Sequence, residues 1–360
     1  MASNQETEQE IQEREHFQRI VNVFKSYKFL TDEWLNKKLS FVKGFPADQQ
    51  NLLTEYTAHL GQLRVCVDHN AQIIKQITKD VENMFENVQH DDQGSVTKRP
   101  ILSSDLDKVY TTLRQIVRDW SSVGANERKL CYGPILDAID KKYPNDKVNR
   151  STINVLVPGA GLGRLSYELA RRGYACQGNE FSLFMLFASN FVLNRASGVD
   201  SLRVYPWVHS SSNVVSPQHQ LQAALFPDVN PSDLPANSQL TMAAGDFLEI
   251  YTEANSWDCV ATCFFIDCAN NIVSFLQTIY NILRPGGYWI NLGPLLYHYA
   301  EQEGEQSIEP CYDHLMAIVR RLGFVVSEER TNMRTTYTQN PASMLKYEYN
   351  SVFFTATKPL

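Results

Sequence analysis

The sequence lacks long apolar runs and any excess of positive charge. No segment offers about 18 uninterrupted apolar residues, so we expect no membrane-spanning helix. The opening segment MASNQETEQEIQEREHF is polar and acidic, and it has no apolar core of the kind found in secretory signals. The chain has 33 Lys and Arg residues against 40 Asp and Glu residues, a formal net charge of −7. This balance disfavours binding to nucleic acid or to an anionic membrane surface.

Cysteine pairs with the spacing of metal ligands are also missing. The seven Cys residues are scattered, and the cluster of Cys259, Cys263 and Cys268 lies in an apolar, strand-like run without C-x-x-C pairs. We therefore expect no metal site. We interpret the cysteines as reduced, buried thiols of a protein in the cytosol or nucleus.

A helical pattern dominates the first hundred residues, which we interpret as an N-terminal helical region (1–100). Apolar residues recur at steps of three and four, as in a heptad seam, and Asn70 is the one polar member. Two interpretations stay open: a long helix packed on helices of its own chain, or a contact between two copies of the chain. Residues 88–99 predict a polar linker. The seam comprises Leu53, Tyr56, Leu60, Leu63, Val67, Asn70, Ile74, Ile77, Val81 and Met84.

The stretch SSDLDKVYTTLRQIVRDW predicts a further helix. Ser104 together with Asp107 resembles a capping box at its start. Gln115 and Arg118 are one helical turn apart and lie off the apolar face, so both side chains can reach the same neighbour. The apolar face is formed by Leu106, Val109, Tyr110, Leu113, Val117 and Trp120.

Strands and helices alternate from residue 151 to the C-terminus. This alternation predicts a doubly wound, mostly parallel Rossmann-like sheet over residues 151–360. Two late β runs, GFVVSEERTN and YNSVFFTATKP, are expected to pair at one sheet edge, and residues 210–237 are expected to form a long loop that covers the site or its rim. The predicted strands are INVLV, ACQGNE, LRVYPWV, WDCVATCFFID and YWINLGPL, and the predicted helices are RLSYELARR, SLFMLFASNFVLNR and NIVSFLQTIYNILRPGG.

A glycine-rich loop follows the first of these strands. A strand, a glycine turn and a helix start together present backbone N–H groups to a ligand. The nicotinamide fingerprint G-x-G-x-x-G fails here, since its sixth position is Arg164 when counted from Gly159 and Ser166 when counted from Gly161. The glycines instead stand at Gly159, Gly161 and Gly163, a spacing typical of S-adenosylmethionine-dependent methyltransferases.

Further residues that could bind S-adenosylmethionine follow in the order that such an enzyme requires. Glu180 ends the second strand, where a carboxylate can accept both ribose hydroxyls. In the stretch AAGDF, Asp246 can accept from the adenine amino group, and Phe247 can offer its backbone N–H and its ring. The stretch LRPGGYWIN supplies the helix–turn–strand that leads into the fifth strand of these enzymes.

One position departs from methyltransferases in general. Many of them have an acidic residue two positions before the first glycine, and here that residue is Val157. The methionine end of the cofactor then needs other partners. Gln115 and Arg118 are candidates, because a guanidinium binds a carboxylate bidentately. We therefore expect residues 101–150 to form a helical lid that contributes to the cofactor site.

Several long stretches resemble the carnosine N-methyltransferase family. They are VPGAGLGRLSYELARRGYACQGNEFSLFMLFASNFVLN, TCFFIDCANNI, GGYWINLGPLLYH and MLKYEY, and the resemblance runs from about Asp105 to the C-terminus. It implies methylation of carnosine (β-alanyl-histidine) on the imidazole Nδ1 to give anserine, with S-adenosylmethionine as the methyl donor. It also implies a homodimer in the cytosol and nucleus.

The resemblance further implies a set of site residues. Asp267 is expected to be essential, as an acceptor for the imidazole or for the ammonium of the dipeptide, and His298 and Tyr349 to hold the ring or the carboxylate. Within the strand, Cys259 is the alternative to Cys263. The implied cofactor contacts are Gln115, Arg118, Gly159, Glu180, Asp246, Phe247 and Cys263, and the implied substrate contacts are Asp267, His298 and Tyr349.

Three other functions stay open on the residues alone. The same ring chemistry would serve an enzyme that methylates histidine in a peptide or a protein. A non-catalytic, methyltransferase-like binding subunit would bind its partner through the heptad helix. The presence of Glu180, Asp246 and Asp267 argues against this function, because a non-catalytic protein need not keep them. A nicotinamide enzyme is disfavoured by the glycine spacing.

Overall fold

The structure is a computed structural model that describes residues 7–81, 101–236 and 238–360. Met84 and the predicted linker at 88–99 lie outside the described residues. The helices are α1 (Glu8–Lys43), α2 (Ala47–Leu52), α3 (Thr54–Ile77), α4 (Ser103–Trp120), α5 (Ala125–Cys131), α6 (Gly133–Lys142), α7 (Arg164–Arg171), α8 (Leu183–Arg195), α9 (Pro217–Gln220), α10 (Phe247–Ile250), α11 (Ile272–Ile282) and α12 (Tyr312–Arg321). The strands are β1 (Asn154–Pro158), β2 (Ala175–Glu180), β3 (Leu202–Val204), β4 (Ala224–Phe226), β5 (Gln239–Ala244), β6 (Trp257–Cys263), β7 (Leu283–Gly293), β8 (Val325–Thr335) and β9 (Tyr349–Thr357).

A seven-stranded sheet with the order β5-β2-β1-β6-β7-β9-β8 forms the centre of the fold. The first five strands are parallel, and β9 runs antiparallel to both of its neighbours. The prediction of a doubly wound Rossmann-like sheet is confirmed, as is the pairing of the two late β runs at one edge. The chain reverses its direction of winding between β1 and β6, and in such folds ligands bind beyond the carboxyl ends of the strands at this point.

The third parallel strand is not the one that the sequence predicted. Of the stretch LRVYPWV only β3 is extended, and it pairs with β4 outside the main sheet. The third parallel strand is β5, an edge strand that has no fully buried residue. Its apolar residues, Leu240 and Met242 to Ala244, make too short a pattern to predict a strand. The loop predicted over 210–237 likewise contains α9 and β4, which are too short to produce a periodic signal.

Two predicted element boundaries also needed correction. The helix predicted to run to Gly287 ends at Ile282, since the following Pro-Gly-Gly stretch enters strand β7. The predicted capping box of Ser104 and Asp107 is wrong. Helix α4 begins at Ser103, and the Asp105 carboxylate accepts from the N–H of Leu102 at 3.1 Å. The Asp105 carboxylate also accepts from Arg19 of α1 at 2.8 Å, a contact between helices that local sequence does not reveal.

The heptad seam packs inside its own chain. Leu60, Leu63 and Val67 are buried in one hydrophobic core that α3 shares with α1, α4 and α8. Asn70 accepts from the backbone N–H of Tyr205 and donates to the carbonyl oxygen of the same residue, both at 2.8 Å. The interpretation as a helix packed on its own chain is therefore confirmed for the seam from Leu60 to Val81, whereas Tyr56 is exposed. The domain boundaries at 100 and 150 stay predictions.

The central strands bring the ligand-binding edge together. In β1 every residue after Asn154 is buried, as expected of a central parallel strand covered on both faces. The carboxyl ends of β1, β2, β5, β6 and β7 meet at one edge, and the last turns of α4 face the loop after β1. In the described part of the chain, no helix has the length and apolar content needed to cross a membrane.

Candidate active site

The glycine loop makes a tight turn that only glycine accommodates easily. Gly159, Gly161 and Gly163 have φ values of +65°, +56° and +79°, in the left-handed region that disfavours side chains. A Cβ on Gly159 would lie 2.6 Å from the ring of Phe265, so a side chain there would clash. The N–H of Gly161 donates to the Glu180 carboxylate at 2.8 Å, which ties the loop after β1 to the end of β2.

Glu180 is held by three backbone donors. Its carboxylate accepts from Gly161 and also from Phe181 at 2.9 Å and Ser182 at 2.8 Å. Burial raises the pKa of Glu180, and the three N–H groups act in the opposite direction. Phe181 and Ser182 both donate to Oε1, and Gly161 donates to Oε2, so Oε2 retains a lone pair for the ribose hydroxyls predicted to bind here.

Asp246 and Phe247 lie at the carboxyl end of β5. Asp246 caps the short helix α10, with its carboxylate accepting from the N–H of Leu248 at 2.7 Å. Phe247 is buried, and its ring meets those of Phe265 and Phe275 edge-on, each with centroids 5.4 Å apart. Phe265, which the sequence reading missed, therefore contacts both Phe247 and the glycine loop. The aromatic pair directly after strand β6 was the available signal.

Arg118 is buried in a cluster of charged and aromatic groups rather than exposed on the surface of α4. Its Nη1 donates to the Asp119 carboxylate at 2.8 Å and to the Tyr132 hydroxyl oxygen at 2.6 Å, and its Nε pairs with Glu127 at 2.8 Å. The guanidinium carbon lies 5.1 Å from the ring of Tyr132 and 4.7 Å from that of Tyr337. Nη2 makes none of these polar contacts. The sequence reading missed Asp119, Tyr132, Glu127 and Tyr337, because their proximity depends on tertiary packing.

Gln115 and Cys263 lie beside this cluster. Gln115 is buried and its side-chain amide donates to the Tyr337 hydroxyl oxygen. The Cys263 sulfur is half-buried at the carboxyl end of β6, 4.0 Å from the carbonyl oxygen of Cys131. Cys259 is fully buried in the middle of the same strand. Because Cys263 lies at the carboxyl end of the strand and Cys259 does not, Cys263 is the better candidate for the cysteine of the site.

Asp267 and His298 are joined through the backbone. Asp267 lies in a short 3-10 helix (Ile266–Cys268) just beyond β6 and is only 2% exposed. Its carboxylate accepts from the N–H of Leu296 at 2.8 Å, and its carbonyl oxygen accepts from the N–H of His298 at 3.0 Å. Burial raises the pKa of the Asp267 carboxyl, while the Leu296 N–H and His298 lower it. The His298 Nε2 lies 3.9 Å from the sulfur of Cys268.

Tyr349 contacts the ring of Phe264, which in turn contacts Tyr337 beside Arg118. Its ring centroid is 5.9 Å from that of Phe264, and the ring of Phe264 is 5.1 Å from that of Tyr337. Phe264 has a φ of +55°, an unusual backbone conformation for a bulky residue and one that is often found at functional sites. The Phe264 backbone also passes close to Gly293, where an added Cβ would lie 3.1 Å from it. Tyr349, Phe264 and Tyr337 thus form a series of ring contacts that ends at Gln115 and Arg118 of α4.

All ten predicted site residues lie on α4 or near the carboxyl edge of the sheet. The loop geometry, the strand order and the buried carboxylates around the loop define a Rossmann-like methyltransferase of the class I type. In the part of the chain that the structure describes, no group of three His, Cys, Asp or Glu residues is arranged to hold a metal ion.

Comparison with known proteins identifies the family. Residues 96–360 match the family model described as carnosine N-methyltransferase. The chain is 48% identical to the carnosine N-methyltransferase of Rattus norvegicus, covering 96% of this chain and 87% of that one. It is 42% identical to that of Drosophila melanogaster, covering 97% and 81%. A crystal structure described as an S-adenosylmethionine-dependent methyltransferase from Methanosarcina mazei is 14% identical with a TM-score of 0.39, over 61% of this chain and 98% of that one. The chain belongs to the carnosine N-methyltransferase family.

Proposed function

We propose that this enzyme transfers a methyl group from S-adenosylmethionine to the imidazole Nδ1 of carnosine and so forms anserine. The observation that carries the proposal is the buried Asp267 carboxyl at the carboxyl end of β6, in the loop that also holds Phe265 against Gly159. An acceptor at this point lies beside the expected site of the methyl donor. Membership of the family supports carnosine as the acceptor of the methyl group.

The donor is held along the edge of the sheet. Asp246 and Phe247 bind its adenine, and Glu180 binds its ribose. Gln115 and Arg118 bind the methionine end, where the guanidinium of Arg118 holds the carboxylate. The bound donor supplies a methyl group on a positively charged sulfur, and the chain's own residues align that methyl with the nucleophile.

Asp267 fixes the reacting form of the imidazole. The nucleophile is the lone pair on Nδ1, so the ring must be neutral with its proton on Nε2. The Asp267 carboxylate accepts this Nε2–H and holds the tautomer and the orientation of the ring. As the bond from Nδ1 to the methyl carbon forms, the S–C bond of the donor breaks, S-adenosylhomocysteine is the leaving group, and the positive charge passes to the ring. The buried Asp267 carboxylate stabilises that charge, and the Nε2 proton is then lost to the carboxylate or to water.

His298 and Tyr349 orient the rest of the dipeptide. His298 is exposed and joined to Asp267 by a backbone hydrogen bond, so it extends the site outward from the reacting ring. Tyr349 packs edge-on against the ring of Phe264. The two side chains contact the imidazole and the carboxylate of the dipeptide.

A transfer assay with product mapping tests the function. The purified chain is incubated with methyl-labelled S-adenosylmethionine and with carnosine, free histidine or a histidine-containing peptide. Carnosine should be the preferred acceptor, and two-dimensional NMR should locate the methyl group on Nδ1. A methyl group on Nε2 would contradict the assigned orientation of the ring. Transfer to the peptide but not to carnosine would identify a peptide or protein histidine methyltransferase instead.

The chain forms a homodimer and acts in the cytosol and nucleus, as the family resemblance implies. The seam residues from Leu60 to Ile77 are buried in their own chain, which favours a contact elsewhere on the surface. Sedimentation velocity of the full chain tests the assembly, and a single species at the 41.1 kDa of one chain would contradict it. Fractionation of cells that express the tagged chain tests the location.

A further inference from the structure

Two neighbouring residues of α4 carry opposite charges at the methionine end of the site. Arg118 and Asp119 are joined by a 2.8 Å hydrogen bond from Nη1 to Oδ1, and both side chains are at most 6% exposed. The Tyr132 hydroxyl also donates to Oδ1 of Asp119, so neither of these two hydrogen bonds uses Oδ2. That oxygen lies 3.9 Å from the position that a Cβ on Gly161 would occupy. The free edge of the carboxylate therefore faces the glycine loop.

The covalent structure of the donor requires its two charged groups to bind close together. The ammonium and the carboxylate of a methionine unit are attached to the same carbon atom, so their partners must be neighbours. If the Arg118 guanidinium holds the carboxylate, the ammonium must lie within a few ångströms of that guanidinium. Asp119 is bonded to Arg118 and has an oxygen directed to the loop, so its carboxylate occupies the matching position.

We propose that Asp119 binds the ammonium group of the methyl donor through Oδ2. This inference rests on the proposed function, since it takes S-adenosylmethionine as the ligand. It also accounts for Val157, which is buried and apolar at the position where many methyltransferases have an acidic residue. The carboxylate missing from the end of β1 is supplied across the loop by the last turn of α4.

The charges of the cluster fit this ligand. Two carboxylates, Asp119 and Glu127, contact one guanidinium, that of Arg118, so the three side chains together carry one formal negative charge. The donor carries a sulfonium, an ammonium and a carboxylate, and so one net positive charge. A positively charged ligand group therefore suits the carboxylate oxygen of Asp119 that Arg118 does not use.

Neighbouring groups hold the Asp119 carboxylate in place. The Tyr132 hydroxyl donates to Oδ1 at 2.7 Å, and the Arg164 guanidinium donates to the Asp119 backbone carbonyl oxygen at 2.7 Å. These contacts fix both the side chain and the backbone of Asp119. A pre-oriented acceptor of this kind binds a cationic donor group with little further loss of side-chain entropy.

Binding of two matched ligands tests the proposal. Calorimetry compares S-adenosylhomocysteine with its deamino analogue, in which hydrogen replaces the ammonium group. The full wild-type chain should bind the deamino analogue about 10- to 100-fold more weakly, as expected for a lost hydrogen bond to a charged group. The Asp119→Asn variant should bind S-adenosylhomocysteine more weakly by a similar factor and should discriminate less than about threefold between the two ligands.

Two outcomes would overturn the proposal. Wild-type discrimination below about threefold would show, without any variant, that no specific partner receives the ammonium. An equal loss of both ligands in Asp119→Asn, with discrimination retained, would mean that Asp119 only holds Arg118 in place. Asp258→Asn is the matched control, because Asp258 also pairs with an arginine, Arg284, but at the amino end of β6. It should bind both ligands as the wild type does.

The same measurements separate this proposal from the proposed function. A chain that binds S-adenosylhomocysteine with the expected discrimination but does not methylate carnosine leaves Asp119 as the ammonium partner and overturns only the choice of substrate. A wild-type chain that binds neither ligand overturns both proposals.

Discussion

Arg164 donates from Nη1 to the backbone carbonyl oxygen of Asp119 at 2.7 Å. Arg164 stands where a dinucleotide-binding loop would need its third glycine. Its side chain joins the end of α4 to the start of α7. It also pairs with Asp228 at 2.6 Å, and its guanidinium carbon lies 5.0 Å from the ring of Trp120. The Trp120 indole in turn donates to the carbonyl oxygen of Leu162 at 3.0 Å. The end of α4 is thereby fastened to the glycine loop and to the start of α7.

The Arg164→Ala variant should lose both stability and donor affinity. The free energy of unfolding should fall by about 3 kcal/mol, because Asp228 loses a buried partner and the Asp119 carbonyl loses its donor. Urea unfolding measures this loss, and calorimetry measures binding of S-adenosylhomocysteine. Arg321→Ala, at an exposed position in the last turn of α12, should change stability by no more than about 0.5 kcal/mol. A loss below about 1 kcal/mol in Arg164→Ala would contradict the fastening role.

Glu127 connects Arg118 of α4 to the segment that carries Tyr337. One oxygen pairs with Arg118 and accepts from the N–H of Thr338 at 2.9 Å. The other accepts from the Thr336 hydroxyl at 3.0 Å and the N–H of Gln339 at 3.2 Å. The segment that carries Tyr337 is therefore held against α4 and α5 by one side chain.

The Glu127→Gln variant should raise the KM values for both S-adenosylmethionine and carnosine by about tenfold. Removing the charge removes the ion pair with Arg118 and weakens the hydrogen bonds from the segment that contains Tyr337, at a cost of roughly 1.5 kcal/mol. Steady-state kinetics with each substrate varied in turn provides the measurement. Glu329→Gln, which removes a half-exposed partner of Arg320, is the control and should leave both values unchanged. A change in only one of the two KM values would disprove the connecting role of Glu127.

The Asp267→Asn variant should retain donor binding and lose turnover. An amide is uncharged, so it cannot stabilise the positive charge that develops on the methylated imidazole, and kcat should fall by at least about 100-fold. Calorimetry should show a dissociation constant for S-adenosylhomocysteine within about threefold of the wild-type value. Asp313→Asn, at an exposed position of α12, should have the wild-type rate. A near-normal rate in Asp267→Asn would remove Asp267 from the mechanism.

Asp267 should also make stability depend on pH in a defined direction. Burial raises its pKa in the folded chain above the ordinary value of 3.8, so the folded state binds the proton more tightly than the unfolded state does. At pH values above the raised pKa, the buried charge therefore lowers the free energy of unfolding by its full amount. This destabilisation decreases as the pH falls and is absent below 3.8. Asp267→Asn should be more stable than the wild type at pH 7, and this advantage should shrink as the pH is lowered through that window. Urea unfolding at a series of pH values checks the trend, which a constant difference would refute.

Elements with strong local signals were predicted correctly. Strands β1 and β6 are apolar runs between polar turns, and β2 was predicted with its observed limits, Ala175–Glu180. The edge strand β5 was missed because its residues are polar or half-exposed, and such a strand is recognised only from its pairing with β2. The sequence predicted that β3 belongs to the main sheet, although it pairs with β4. A stretch rich in β-forming residues predicts a strand but does not show which other strand it pairs with.

The site shows the same division. Glu180 could be proposed from the sequence because it ends the predicted strand ACQGNE, and Asp246 because the stretch AAGDF precedes the predicted strand WDCVATCFFID. Asp119 was not found, although it adjoins Arg118 in the chain, because a lone acid at the end of an amphipathic helix is usually solvated. Its burial and its orientation toward Gly161 depend on how α4 packs against the sheet.

The sequence by itself determined the local features of this protein: the left-handed turns of the glycine loop, the apolar central strands and the acidic residues at the strand ends. These features depend on the conformational preferences of a few consecutive residues, which the sequence displays directly. Only the tertiary structure decided that Asp119, Tyr132 and Glu127 surround Arg118, and that Arg164 holds the helix carrying this cluster. Contacts between residues far apart in the chain arise from the packing of whole helices against the sheet, and no local pattern encodes that packing.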